Sequence, residues 1–195
     1  MEFGVLFTSH PNPQEEPYPH REVHARTTDE IVEAERLGYD TAWIAEHHFA
    51  TSYGIMPDCF AYMAYLAAKT SKINIGAAVI TLPLYDPIRV VENASFVDIL
   101  SNGRVRLGVG SGYRPYEFIG LGKDFDSRRD QVEEAIRTRE IVAVTGASAG
   151  IGAHRPSRAP AGRPPASAAG GGAGGGSCSG AETGEIVAIG LGSSG

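Results

Sequence analysis

The stretch Ile73-Asn74-Ile75-Gly76-Ala77-Ala78-Val79-Ile80-Thr81, running on into Leu82-Pro83-Leu84-Tyr85-Asp86-Pro87, decides the fold. Its first part is a continuous apolar run with β-branched residues, the pattern of a strand buried on both faces rather than of an alternating, half-solvated one. Asp86 and Pro87 then offer an N-cap and an N1 proline. Val90, Val91, Ala94, Val97 and Leu100 recur at helical spacing until Asn102-Gly103 closes the helix. A second apolar run, Val105 to Val109, follows at once. Strand, helix and strand in this order form a crossover between parallel neighbours.

The same unit recurs on either side. Towards the N-terminus, Phe3 to Phe7 reads as a strand stopped at Thr8-Ser9-His10-Pro11. Thr27-Thr28-Asp29-Glu30 reads as a capping box opening a helix through Ile31, Ala34 and Leu37, with Gly38 as its stop. Thr41 to Ala45 is a second strand, and Asp58 to Thr70 is a helix carrying Phe60, Met63, Ala64, Ala67 and Ala68. Towards the C-terminus, Asp126 starts a last helix with Val132, Ala135 and Ile136 inside and Glu133 paired to Arg137 outside. Four β-α units predict a parallel α/β sheet, either doubly wound or part of a (β/α)₈ barrel. A full barrel needs about 200 residues or more, so the units within residues 1–142 amount to its first half. In such a half barrel Ile75, Val79, Val105 and Leu107 are expected to face the interior.

Composition changes near residue 143. Every aromatic residue lies at or before Phe125, whereas 38 of the 53 residues from 143 to 195 are Gly, Ala, Ser or Pro. Too little apolar area is available there to offset about 1–2 kcal/mol of ordering entropy per residue, so 143–195 is expected to be a disordered, low-complexity tail. The net charge of -6 argues against a nucleic-acid binder. No run approaches the roughly 18 apolar residues of a membrane span, and Met1-Glu2-Phe3-Gly4 does not open a signal peptide, so a cytoplasmic location is expected. Cys59 and Cys178 match no disulfide framework or metal spacing.

Polar residues concentrate after the strands. Five of the six histidines, His10, His20, His24, His47 and His48, fall in the segments following the first two strands. In either parallel fold those segments occupy the carboxyl ends of the strands, where sites are built. Adjacent histidines leaving a strand point opposite ways, so one of His47 and His48 faces the mouth of the sheet. The same divergence argues against a zinc site at Glu46-His47-His48, since metal ligands must converge. The small residues Gly76, Ala77 and Ala78 allow a planar ligand or another backbone to approach closely, although plain helix-to-strand packing explains them as well. After the fourth strand, Gly108-Val109-Gly110-Ser111-Gly112-Tyr113-Arg114 exposes backbone N–H groups beside a hydroxyl and a cation, a combination suited to an anion.

Taken in order, Gly4-Val5-Leu6-Phe7, Gly38-Tyr39-Asp40-Thr41-Ala42-Trp43, Ala45-Glu46-His47-His48-Phe49, Thr81-Leu82-Pro83, Asp86-Pro87-Ile88-Arg89, Leu100-Ser101-Asn102-Gly103-Arg104 and Gly108-Val109-Gly110-Ser111-Gly112-Tyr113 resemble the bacterial luciferase-like, flavin-dependent monooxygenases. The resemblance spans residues 1–142. It implies a TIM barrel that uses reduced FMN and O₂ to oxidise a small organic substrate, with a flavin reductase as electron source and a homodimer as assembly. On the same barrel, a deazaflavin relative transferring hydride is the alternative. By position, His47 resembles the family's active-site histidine. Ala77 and Ala78 resemble the small residues, often at a non-prolyl cis peptide, against which the flavin ring packs. Gly110, Ser111, Gly112 and Tyr113 resemble the turn along the flavin's ribityl phosphate side. Beyond residue 142 the family continues through four more strands, whereas the tail looks like a shifted reading frame through a GC-rich gene.

Two competing readings stand beside this one. Thr145-Gly146-Ala147-Ser148-Ala149-Gly150-Ile151-Gly152 resembles the NAD(P)-binding turn of short-chain dehydrogenases, but the prolines from Pro156 to Pro165 oppose the helix that must follow. The other is an inactive fragment without catalysis.

Overall fold

Four parallel strands follow one another across the sheet in chain order: β1 (Gly4–Phe7), β2 (Thr41–Ile44), β3 (Asn74–Thr81) and β4 (Val105–Gly110). The computed structural model describes residues 2–137 together with the backbone of 186–190. A doubly wound sheet reverses its strand order at a switch point. No reversal occurs here, so the order is that of a barrel wall. Three long helices connect the strands: α1 (Pro19–Leu37), α2 (Cys59–Lys69) and α3 (Pro87–Ser101), the last preceded by a 3₁₀ turn, Leu82–Leu84. A short α4 (Pro115–Gly120) follows β4, and residues 128–137 form α5.

Local chemistry sets most of these boundaries. The Asp58 carboxylate caps α2 by accepting from the Ala61 N–H, and Asp86 caps α3 by accepting from Ile88 and Arg89. Asn102 ends α3 in the left-handed conformation. The capping box expected at Thr27 is absent: α1 starts eight residues earlier, at Pro19, with Tyr18 at the N-cap position. Thr27 and Thr28 are buried in its middle, the Thr28 hydroxyl donating back to the His24 carbonyl. Glu30, expected to close the box, faces Arg26 instead. The first turns of α1 carry few apolar residues beyond Val23, which is why periodicity alone did not reveal them.

One face of the sheet is packed against helices. Ala42, Ile44, Ile75, Ala77, Ile80, Val105, Leu107 and Val109 form a continuous core with residues of α1, α2 and α3 and with Ala135 of α5. This corrects the expectation for Ile75, Val105 and Leu107, which point under the helices and not into a barrel interior. Only Val79, half-exposed beside a register shift in β3, is not among them. On the opposite face the Trp43 ring lies across Gly4 and Gly76, where an added Cβ would collide with it. Leu6 on this face is 53% exposed.

Within residues 143–195, Ile186–Gly190 forms β5, antiparallel to β4. A run of β-branched residues meets the donors and acceptors of an otherwise open edge there. The dehydrogenase-like segment 145–152 lies outside the described residues.

At the amino-terminal rim the turn between α2 and β3 is held by two side chains. The Glu35 carboxylate accepts from the N–H groups of Ser71, Lys72 and Ile73 and from the Ser71 hydroxyl. The Arg104 guanidinium donates to the carbonyls of Ala67, Thr70, Ile73 and Ser101 and to the Thr70 hydroxyl. Partial burial pushes the Glu35 carboxyl up, but its backbone donors outweigh this and hold it down at about 2. A carboxyl depressed on folding stabilises above its unfolded value and loses that contribution as the pH falls through its folded value. Acid titration between about pH 4.5 and 2 is therefore expected to weaken the wild type more than Glu35→Gln. At neutral pH the variant is expected to lose about 1–2 kcal/mol in urea denaturation, a figure already reduced for the partial exposure of the carboxylate.

Candidate active site

The carboxyl rim of the sheet gathers two buried carboxylates and two histidines. His47 and Glu117 are 8% and 3% exposed, and the His47 Nδ1 lies 3.2 Å from the Glu117 Oε1. The same oxygen accepts from the His48 N–H at 3.0 Å. Glu46, 4% exposed, meets the His48 Nε2 at 2.7 Å and accepts from the Thr81 N–H at 3.3 Å. Successive side chains diverge as the chain leaves β2, so His47 turns to the Glu117 side while His48 folds back onto Glu46. His47 is thus placed against α4 and His48 against Glu46.

The segment after β2 is folded tightly enough to fix the His47 ring. The His47 N–H donates to the Met56 carbonyl, and the Ile55 N–H donates to the Ser9 carbonyl from the segment after β1. Gly54 has φ +70, and a Cβ there would run into the His47 ring, so glycine is needed both for the conformation and for the space. Tyr53 and Tyr113 flank the ring, with centroids at 5.4 and 6.2 Å. Gly112, φ +74, lets the turn after β4 pass the Thr81 methyl, which an added Cβ would approach to 2.6 Å.

Protonation follows from these contacts. Burial pushes the Glu117 carboxyl up, but the hydrogen bonds from His47 and the His48 N–H, with Arg114 nearby, hold it below the usual carboxylate range. An ionised carboxylate only accepts, so the His47 Nδ1 carries the proton and Nε2 is the nitrogen left for other work. Glu46 and His48 titrate as a coupled pair. Hydrogen bonding to Glu46 raises His48, while burial raises Glu46.

The other residues singled out from the sequence occupy several places. Ser111 is buried just beyond β4, at the same end of the sheet as His47, and Tyr113 reaches the His47 ring. A cis peptide joins Ala78 to Val79. Ala77 has its side chain in the core under the helices, so of the two alanines only Ala78 is half-exposed. His20 and His24 lie within α1, not in a loop, and the half-buried His24 ring packs on Tyr62 at 5.5 Å. Among the described residues no cluster of three or more His, Cys, Asp or Glu side chains is arranged for a metal. Sequence reasoning did not single out Glu117. The proline at the start of α4 was a usable signal for the helix that carries it, but six residues are too few for periodicity.

The model of the luciferase-like monooxygenases matches residues 1–191, which extends past residue 142, where the motif resemblance ended. This chain belongs to the luciferase-like monooxygenase family. The alkanal monooxygenase alpha chain of Photorhabdus laumondii is 34% identical over 133 residues, 68% of this chain and 36% of that protein. The oxygenase component of the flavin-dependent trigonelline monooxygenase of Acinetobacter baylyi is 35% identical over 114 residues, 55% of this chain and 31% of that protein. The chain thus spans about a third of the length of the curated relatives it matches. In fold it is similar to the oxygenating constituent of 3,6-diketocamphane monooxygenase from Pseudomonas putida, solved with FMN: TM-score 0.64, 23% identity, 73% of this chain and 39% of that one. The parallel units are therefore those of the first half of a luciferase-like TIM barrel.

Two expectations follow for this rim. Glu117→Ala leaves one buried and one part-buried donor without their acceptor and should cost about 1–3 kcal/mol in urea denaturation at pH 7, whereas Glu117→Gln, which keeps an acceptor oxygen, should cost less. For the Glu46–His48 pair the folded state keeps a proton the unfolded chain gives up, whichever partner bears it, so its contribution is complete in mild acid and is lost as the pH rises through the folded values. His48→Gln should flatten the decline in stability above about pH 6.5, and an unchanged slope would show that the pair is not its source.

Proposed function

We propose that the chain carries the flavin-side half of a flavin-dependent monooxygenase that uses reduced FMN and O₂ to oxidise a small organic substrate. The observation that carries this reading is the buried His47–Glu117 pair, one imidazole nitrogen committed and the other free, at the rim of a sheet of a luciferase-like monooxygenase. Residues on the helix-free face fit a flat cofactor. Beyond the Trp43 ring, which already covers Gly76, Ala78 on β3 and Gly108 and Gly110 on β4 offer backbone and one methyl to a planar ring. Ala78 would hold the ring face, with Ala77 contributing backbone only. Gly110, Ser111, Gly112 and Tyr113 would hold the ribityl phosphate side through N–H groups and hydroxyls. The bound flavin supplies the oxygen chemistry.

His47 then holds and returns a proton at Nε2 while Glu117 fixes the ring and its tautomer. The segment 47–56, with Tyr53 and Gly54 against the His47 ring, covers one side of the pair. The name of the Acinetobacter relative, an oxygenase component, supports a separate flavin reductase as electron source. The division at residue 142 and the cytoplasmic location belong to the same proposal. Among the described residues no helix is long and apolar enough to cross a membrane.

The single tryptophan makes the test direct. FMN is expected to quench Trp43 fluorescence saturably, and Ala78→Leu, which fills the flat surface, should weaken FMN by tenfold or more. Undiminished affinity in that variant would remove β3 from the cofactor site. In aerobic turnover with reduced FMN, His47→Ala should slow oxidation by about 10²- to 10⁴-fold with FMN affinity retained, and an unchanged rate would take His47 out of the proton transfer.

A further inference from the structure

Arg114, between β4 and α4, is a half-buried cation that makes no ion pair among the described residues. Its guanidinium lies over the ring of Tyr53 at 5.0 Å, over Tyr113 at 5.2 Å and near Tyr116 at 6.0 Å. Its Nε donates to the Tyr113 hydroxyl at 3.1 Å and one terminal nitrogen to the Tyr116 hydroxyl at 2.7 Å. Those contacts fix the plane of the group and leave donors of the second terminal nitrogen unused. Two of the three supporting rings, Tyr53 and Tyr113, also flank the His47 ring.

A guanidinium on aromatic faces keeps its full charge while losing part of its hydration, so an incoming anion meets a preoriented fork that has little water left to displace. The hydroxyls of Tyr113 and Tyr116 accept from Arg114 and can still donate, adding neutral hydrogen bonds around the same anion. The three rings are 39–58% exposed, so the approach is open. Glu117, the nearest buried carboxylate, is engaged by His47 and the His48 N–H and does not close the fork.

We propose that Arg114, seated on Tyr53, Tyr113 and Tyr116 beside His47, is the recognition site for the carboxylate of an anionic organic substrate. The proposal deepens the oxygenase reading and names its substrate class. Two sources share the anionic chemistry, a substrate carboxylate and the phosphate of FMN, and the experiment separates them.

Calorimetric titration of the full chain with benzoate and with benzamide compares a carboxylate with its uncharged isostere. Benzoate is expected to bind at least tenfold more tightly than benzamide. Arg114→Gln should remove that preference, Arg114→Lys should restore part of it, and Tyr116→Phe, which frees one guanidinium donor from its anchor, should weaken benzoate a few-fold. Equal binding of the two probes, binding of neither, or an intact preference in Arg114→Gln would overturn the proposal. If Arg114→Gln melts without cooperativity, the lysine and phenylalanine variants decide, and wild-type behaviour in both counts against the site. In the second arm FMN and riboflavin are titrated: a tenfold loss for FMN alone in Arg114→Gln would assign Arg114 to the flavin phosphate and overturn the substrate reading. Benzoate discrimination in a chain that binds neither flavin would sink the oxygenase reading and leave the anion site standing.

Discussion

A parallel sheet has no wet side: both of its faces must be covered, because each strand alternates side chains between them. Here the helices cover one face, and that single fact arranges the rest of the molecule. Val, Ile and Leu from β2, β3 and β4, with Phe7 of β1 packed against them, go under α1, α2, α3 and α5. The other face carries Gly4, Gly76, Ala78, Gly108 and Gly110, with Trp43 laid across the first two glycines and Leu6 left exposed beside it. Polar chemistry cannot enter the packed layer without a desolvation cost, so it collects at the two rims where strands meet connections.

The two rims use similar residues for opposite ends. At the amino-terminal rim Glu35 faces four donors from one turn, and Arg104 spends its donors on four carbonyls and a hydroxyl. Every charge is saturated by fixed partners, so no proton has anywhere to go and the groups act as staples. At the carboxyl rim Glu117 takes two donors, but one of them is an imidazole whose second nitrogen is uncommitted. Stability is concentrated where the hydrogen bonds close, and the rim where one is left open is the one the barrel fold generally uses for its sites.

The order of strands and helices was legible because its signals are local and strong: apolar runs, Asp86-Pro87, Asn102-Gly103 and the Glu133–Arg137 pair, which the structure holds at 3.2 Å. Where two local signals competed, the reading failed. Thr27 and Glu30 satisfied the capping-box pattern, yet burial of Val23, Thr27 and Ile31 along one face makes a longer helix worth more than a cap in its middle. The face on which a strand residue sits depends on the sheet it joins, which is why Ile75, Val105 and Leu107 were assigned to the wrong side. His47 was legible from its place after β2. Glu117 was not, since its role comes from a contact 70 residues away in sequence.

Charge coupling across the carboxyl rim follows from the same geometry. Arg114 helps to keep Glu117 ionised, and Glu117 in turn holds the proton on the His47 Nδ1. An anion resting on Arg114 would cancel part of the positive field felt by Glu117, and the carboxyl would drift back towards its ordinary value. A more basic Glu117 accepts more strongly from the imidazole N–H it already faces, which tightens the ring in the tautomer that leaves Nε2 free. On the proposed reading, arrival of a charged ligand and the state of the His47 imidazole would be linked through one carboxylate. Because the coupling runs through charge and not through contact, a neutral ligand of the same shape would fill the space without producing it.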